Sequence, residues 1–412
     1  MLGAVTMNKG GYDVNRKMRL FRVAAVLSMF VAFGAVQSIG SVAASASGAP
    51  IKVGVVCTCS GPFGADILAS EDVYIAWVKT INASGGIDGH QIKLTLENDA
   101  ANPGTSATEA QTLISDHVDA IVDDSIVDQT WAATVQASHI PVVGLDETET
   151  PFYTESDFYP EGQTNNTTTY ANSITAKTAG ATNMGDLYCA EAASCAEGVP
   201  LIEAAGKKVG VLVVYNAEIA ATAPNYTAQC LAAKQDHVQS IFIGDASVVI
   251  VNVATDCAQQ NYEPIYVTEG EGFGLAMAAA PGLKDKLWSD YGTLPIFAKN
   301  PQITVMNKAV DKYYPGLRTN TTSWSQLGAE GWASGLLLET AVKAGGLGTS
   351  GTPSPNEIVK GLDTIKGNTL DGMAPPLTFK AGQVHDVNCW FTARVENGVP
   401  TLVNGGQVTC EK

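Results

Sequence analysis

Apolar positions along this chain fall into two alternating periods. Ile51 to Val56 is an unbroken apolar run of strand length, rich in β-branched residues and closed by the turn signal Ser60-Gly61-Pro62. Ile67, Tyr74, Val78 and Ile81 then recur at sevens, fours and threes, the spacing of one helical face. Gly85, Gly86 and Gly89 end that helix, supplying the backbone freedom of a C-cap and a tight turn. Ile92, Leu94 and Leu96 alternate into a second strand. Strand, helix and strand in this order form a βαβ unit, which predicts a parallel sheet with a right-handed crossover.

The same rhythm continues. Ala107, Ala110, Ile114 and Val118 outline a helix after Pro103, and Ala120 to Val122 is a buried strand. A helix from Trp131 to Ser138 and a strand from Ile140 to Leu145 complete a first lobe. Pro151, Pro160 and Gly162 then interrupt the pattern, and Phe158 to Gln163 is the expected passage into a second lobe. Strands are predicted there near Leu187 to Ala190 and over Val209–Tyr215, Ser240–Gly244 and Ile265–Thr268. The helices between them end at Gly206 or run over Tyr226–Lys234 and Val249–Gln259. Leu294 to Phe297 is a second passage, and helices over Trp324–Ala344 and Asn356–Leu362 return to the first lobe. Pro375 to Phe379 is the third passage. It leads to a hairpin of Cys389–Val395 and Val399–Val403 around the turn dipeptide Asn397-Gly398. At 412 residues the chain exceeds one ordinary core. The expected fold class is α/β: two doubly wound, Rossmann-like lobes joined by a three-stranded hinge. The expected boundaries are 51–160 with 298–375 for lobe one, and 161–297 with 376–412 for lobe two.

Four motifs on this framework carry a family resemblance. SGPFG follows the first strand, INASGGIDG ends the helix, NDAANP follows the second strand, and PPLTFKAGQ lies near the C-terminus. Together they resemble the branched-chain amino-acid type of ABC-transporter substrate-binding protein, with the type I periplasmic binding protein fold. The resemblance implies two lobes that close over a small solute, with no enzymatic activity and no cofactor. It implies an ABC permease in the membrane as partner, and a monomer as the working form.

Composition narrows the alternatives. Hydrophobic content is 45% and charged content 16%, which suits a globular chain. Net charge is -17; the first 46 residues carry a net +4, so the remainder stands at -21. Such a surface repels phosphate backbones and anionic lipid, which argues against nucleic acid or membrane surfaces as partners. Basic residues up to Arg22, an apolar run from Val23 to Val36 and Ala44-Ser45-Ala46 read as a signal peptide over residues 1–46. An exported protein, periplasmic or at the cell surface, is therefore expected. No Cys precedes Cys57, and its context does not suit lipidation, unlike many relatives. Eight Cys in an exported chain predict disulfides. Proximity pairs Cys189 with Cys195, Cys230 with Cys257 and Cys389 with Cys410. Cys57 and Cys59 then either pair across one residue or stay reduced.

Enzyme signatures are absent. Gly85-Gly86-Ile87-Asp88-Gly89 lies between a helix and a strand, the reverse of a dinucleotide fingerprint. No GxxxxGK[ST], GxSxG or HExxH occurs, and the five His are scattered singly. Binding chemistry belongs at the carboxyl ends of strands. Ser125 and Thr148 follow two such ends with hydroxyls that suit an anion, and Glu269 follows a third with an acceptor for an ammonium. The resemblance implies the same roles: Ser125 and Thr148 hold an α-carboxylate, Asp146 contributes a backbone group, and Glu269 meets the α-ammonium. Asp66 stands where some relatives carry Tyr. Charge-assisted bonds at roughly 1.5–3 kcal/mol each make three or four of them adequate for the ~8 kcal/mol of micromolar binding. Plainer roles compete: Ser125 as a helix cap, Thr148 as a turn residue, Glu269 solvated beside Glu271. Asp123, Asp124, Asp146, Glu147 and Glu149 crowd the same ends, and if they face the cleft they favour a cation or a neutral amide over a carboxylate. Tyr159, Phe273 and Trp324 are the candidates for an apolar wall. The expected function is capture of an amino acid, branched-chain or related, or of a similar small polar solute for import. The alternative is a ligand-sensing module for amides, polyamines or other small solutes.

Overall fold

The computed structural model describes residues 48–411, except 62–63 and 321–322 and the side chains of 65 and 66. The signal peptide expected over residues 1–46 therefore lies outside the described residues. Among those described, no helix is long and apolar enough to cross a membrane.

The first sheet holds β1 (Ile51–Cys57), β2 (Ile92–Asn98), β3 (Ala120–Asp124), β4 (Val142–Leu145) and β5 (Phe158–Tyr159). Its order is β2-β1-β3-β4-β5, and every neighbouring pair is parallel. The crossovers are α1 (Gly64–Ala83), α2 (Pro103–Ser115) and α3 (Ala132–Ala137). Helices on both faces explain why β1 and β3 are buried almost throughout. Asn102 caps α2 by accepting the Thr105 N–H, and Pro103 opens the helix with its fixed φ.

The second sheet repeats this topology. The chain runs through α4 (Asn165–Thr178), β6 (Asn183–Cys189), α5 (Ala193–Val209), β7 (Leu212–Ile219), α6 (Thr227–Gln235) and β8 (Ser240–Gly244). It continues through α7 (Ser247–Gln259), β9 (Ile265–Glu269) and β10 (Leu287–Tyr291). The parallel order β7-β6-β8-β9-β10 reverses direction one strand in from its edge, as the first sheet does. In such sheets the reversal opens a crevice beyond the carboxyl ends of the strands.

Three further helices return to the first sheet: α8 (Pro301–Tyr313), α9 (Leu327–Gly345) and α10 (Pro355–Leu362). Helix α9 lies tightly on α1, because a Cβ on Gly331 or Gly335 would collide with the Ser70 carbonyl or the Trp77 indole. β11 (Lys366–Asn368) and β12 (Leu377–Thr378) form a small antiparallel pair. β13 (Cys389–Glu396) then adds antiparallel to β10, followed by β14 (Val399–Leu402) and β15 (Thr409–Cys410). The β13–β14 turn places Asn397 and Gly398 at φ 52° and 75°, the left-handed pair that this dipeptide favours. The chain thus passes between the sheets three times: after β5, after β10 and before β13.

Among the elements that escape the sequence pattern are α4, β10, α8, β11 and β15. The predicted strand Val209–Tyr215 also starts late, because Val209 closes α5 and Gly210 caps it at φ 83°. All eight Cys are paired: 189–195, 230–257 and 389–410 as proximity suggests, and Cys57 with Cys59.

Candidate functional site

Loops after β3 and β4 meet the carboxyl ends of β6, β8 and β9, and two adjoining cavities lie between them. Their free volumes are small, about 60 and 80 Å³. Thr148, Ser194, Cys195, Gly244 and Glu269 line both. Ile67, Ile126, Asp146 and Glu149 reach one cavity from the first sheet, facing Asp245 and Glu271 of the second. The other cavity adds Thr168, Asp186, Tyr188 and Phe242.

Polar side chains join the two walls. Thr148 Oγ1 donates to Glu271 Oε2 at 2.9 Å across the seam, and lies 3.2 Å from Asp146 Oδ1. Ser194 Oγ donates to Glu149 Oε1 at 2.9 Å, and Thr150 bonds Glu197. The backbone N–H of Gln326 donates to the Phe273 carbonyl at 3.0 Å.

Acidity dominates the lining. Asp146, Glu149, Asp186, Asp245, Glu269 and Glu271 contribute carboxyls, and no described residue lining either cavity is Lys, Arg or His. Burial, and then the charge of Asp290, push Glu269 up to about 8. Burial raises Asp146 to about 6 against the Thr148 hydrogen bond, and burial with the Glu203 charge takes Asp186 to about 7. Glu149 and Glu271 are pushed well above the usual carboxylate range, first by burial and then by Asp146. Each of these groups therefore gains from a positive charge placed among them.

The sequence candidates divide on this geometry. Thr148, Asp146 and Glu269 come together at the cavities. The backbone of Asp146 is already committed, its N–H to the Asp123 carbonyl and its carbonyl to the Glu149 N–H, so its side chain is what faces the space. Ser125 is not brought there. It is fully buried, donates to Asp99 Oδ2 and accepts the Val127 N–H at 3.2 Å, and a 3-10 turn over Asp128–Thr130 follows it in place of the expected helix start. Asp66 lies on α1, and its side chain is outside the described set. The aromatic candidates are core. Tyr159 stacks on His385, Phe273 packs on Tyr291 and Phe297, and Trp324 lies away from both cavities.

Several lining residues escaped sequence reasoning. Asp186 had a signal, a charge in the middle of the strand NMGDLYC. Tyr188 follows two residues later on the same strand face. Ser194 and Cys195 had none, because the Cys189–Cys195 disulfide folds the start of α5 against the end of β6.

Comparison with known proteins agrees with the fold. A family model described as periplasmic binding protein matches residues 50–400. A fatty-acid ABC transporter substrate-binding protein from Thermomonospora curvata superposes with TM-score 0.73 at 14% identity, over 88% of this chain and 93% of that one. A leucine-binding protein from Thermotoga maritima gives TM-score 0.69 at 14% identity, over 87% and 99%. An ABC-transporter solute-binding protein from R. palustris, in complex with benzoate, gives 0.72 at 15% identity, over 88% and 98%. No curated protein sequence matches the chain. One fold thus serves a fatty acid, leucine and benzoate in those three proteins, so the solute follows from the lining and not from the fold.

Proposed function

The chain belongs to the periplasmic binding protein family, and from that premise we propose that it captures a small amine-bearing solute outside the cytoplasm and delivers it to an ABC permease. The observation that carries this reading is the cavity lining: carboxyls enter from both sheets, with no basic side chain among the described lining residues. A cation drawn in from either side satisfies both walls at once, which gives lobe closure its driving force. Glu269 is the principal acceptor for the ammonium, Asp146 and Glu149 receive a second positive group, and Tyr188, Phe242 and Ile126 pack the aliphatic part. The protein acts as a monomer, by binding and closure, without covalent chemistry. We assign the lobes as 51–160 with 298–375 and 161–297 with 376–412.

An amino acid fits a narrower version of the same reading. Its carboxylate needs donors, and the buried Thr168 hydroxyl has no hydrogen-bond partner among the described residues. The deciding experiment is a thermal-shift screen of the purified protein against leucine, other amino acids, amino-acid amides, and diamines such as putrescine. Binding to the folded state alone raises the unfolding midpoint by mass action. Diamines shifting it more than leucine supports two acidic walls. Leucine prevailing supports the narrower reading. No shift from any amine sinks both.

A further inference from the structure

Behind the cavity wall three carboxylates converge from three elements. Glu147 follows β4, Glu271 lies in the loop after β9, and Glu330 sits in the first turn of α9. One carboxylate oxygen from each lies within 4.8 Å of the other two. Glu147 and Glu330 are each 1% exposed. Oε2 of Glu147 and Oε2 of Glu330 have no hydrogen-bond partner among the described residues. The cradle is tight, because a Cβ on Gly162 or on Gly292 would collide with Glu147 Oε1. None of the described ion pairs involves these three residues. Their neighbour Glu161 differs: it accepts the Leu145 N–H and the Ser334 hydroxyl, and its lone pairs are in use.

Two buried carboxylates with idle oxygens, set beside a third carboxylate, are costly unless something positive sits among them. We propose that Glu147, Glu271 and Glu330 form a site for one hard divalent cation, Ca²⁺ by the number of its carboxylate ligands, that ties the two lobes together. The donor set is all oxygen, which selects against metals that seek thiolate or imidazole. Ca²⁺ accepts several carboxylates in a flexible shell, whereas Mg²⁺ dehydrates reluctantly and is usually held by only one or two, so three converging carboxylates favour Ca²⁺. Water completes the shell. Glu147 and Glu330 belong to the first-sheet side and Glu271 to the second, so the ion couples to closure. Glu271 also lines a cavity, so the ion lies at the solute's back wall.

The test is a titration of Ca²⁺ into chelator-stripped protein by calorimetry, with thermal unfolding followed in Ca²⁺, Mg²⁺ and K⁺ at equal ionic strength. The expected result is one equivalent of Ca²⁺ bound and an unfolding midpoint raised most by Ca²⁺. Glu330→Gln is expected to weaken Ca²⁺ binding at least about tenfold, and to leave the stripped protein no less stable than wild type, since one buried like charge is gone. Glu271→Gln, at a partly exposed position, is the second variant and is expected to lose the Ca²⁺ response equally. No Ca²⁺ uptake by the wild type, a larger response to Mg²⁺ than to Ca²⁺, or a Ca²⁺ response that survives in both variants would each overturn the assignment.

Discussion

Residue identity alone does not distinguish Ser125 from Thr148. Both are hydroxyls just past a strand end, and both hydrogen-bond to a carboxylate. The difference lies in where that carboxylate stands. Thr148 reaches across the seam to Glu271, while Ser125 turns inward to Asp99 at the end of β2. Local sequence contains no record of that choice, since Asp99 sits at the end of another strand. Ser125→Ala should therefore destabilise the fold by about 1–3 kcal/mol, because a buried carboxylate and the Val127 N–H lose their partner. Solute affinity should change less than about twofold. Paired unfolding and calorimetric titrations check this, and an affinity loss without a stability loss would return Ser125 to the site. Glu269 was legible because a strand end in a doubly wound sheet points at the crevice whatever the neighbouring sequence. Glu269→Gln should weaken an amine-bearing solute roughly 10–150-fold, the worth of one charge-assisted bond. Calorimetry with the best amine from the screen measures it, and unchanged affinity removes Glu269 from the site.

At the level of elements, periodicity worked where burial is apolar and failed where it is polar. β1 and α1 bury Val, Ile, Tyr and Trp, so their spacing shows. Helix α4 buries Thr167, Thr168, Asn172 and Thr175 among alanines, and reads as a polar loop. Two further buried hydroxyls on it return to its own backbone, Thr169 Oγ1 to the Asn165 carbonyl at 3.1 Å and Ser173 Oγ to the Thr169 carbonyl at 3.0 Å. β10 hides in the same way: its Asp290 is buried and accepts Gln163 Nε2 at 2.8 Å. Helix α9 shows the opposite limit, for its length is plain in the sequence but the reason for Gly331 and Gly335 is visible only against α1. Gly335→Ala should gain up to about 1 kcal/mol of helix propensity, yet lose about 1–3 kcal/mol to overpacking against the fixed Trp77 indole. The net expectation is a less stable protein in denaturant unfolding. A more stable variant would show that α1 and α9 have room to separate.

Across the whole molecule, the two sheets enclose acidic groups that neither would bury alone, and the consequence is a stability that depends on pH. Asp186 shows the sign. Burial holds its carboxyl protonated up to about 7 in the folded chain, while its ordinary value is 3.8. Between those values the folded state carries the extra proton, so stability falls as pH rises through the window and stays lower above it. Glu269 and Glu161, each pushed up to about 8 mainly by burial, act in the same direction. His385 opposes them at the acid end. Buried beside Tyr159 and Phe379, its imidazole is pushed down to about 4, so stability is lost as pH falls from its ordinary 6.5 towards that value. The solute-free, chelator-stripped protein should accordingly be less stable at pH 8 than near pH 6. Asp186→Asn keeps the shape of the protonated side chain and removes its titration. At about 1.4 kcal/mol per unit, it should recover up to a few kcal/mol at pH 8 and almost nothing at pH 4.5, in denaturant unfolding at both values. Equal effects at the two pH values would mean that Asp186 is ionised throughout, already balanced by a positive charge in the folded chain. If the prediction holds, an amine or a divalent cation bound at the seam replaces the missing protons, and its stabilising effect should itself grow from pH 5 to pH 8.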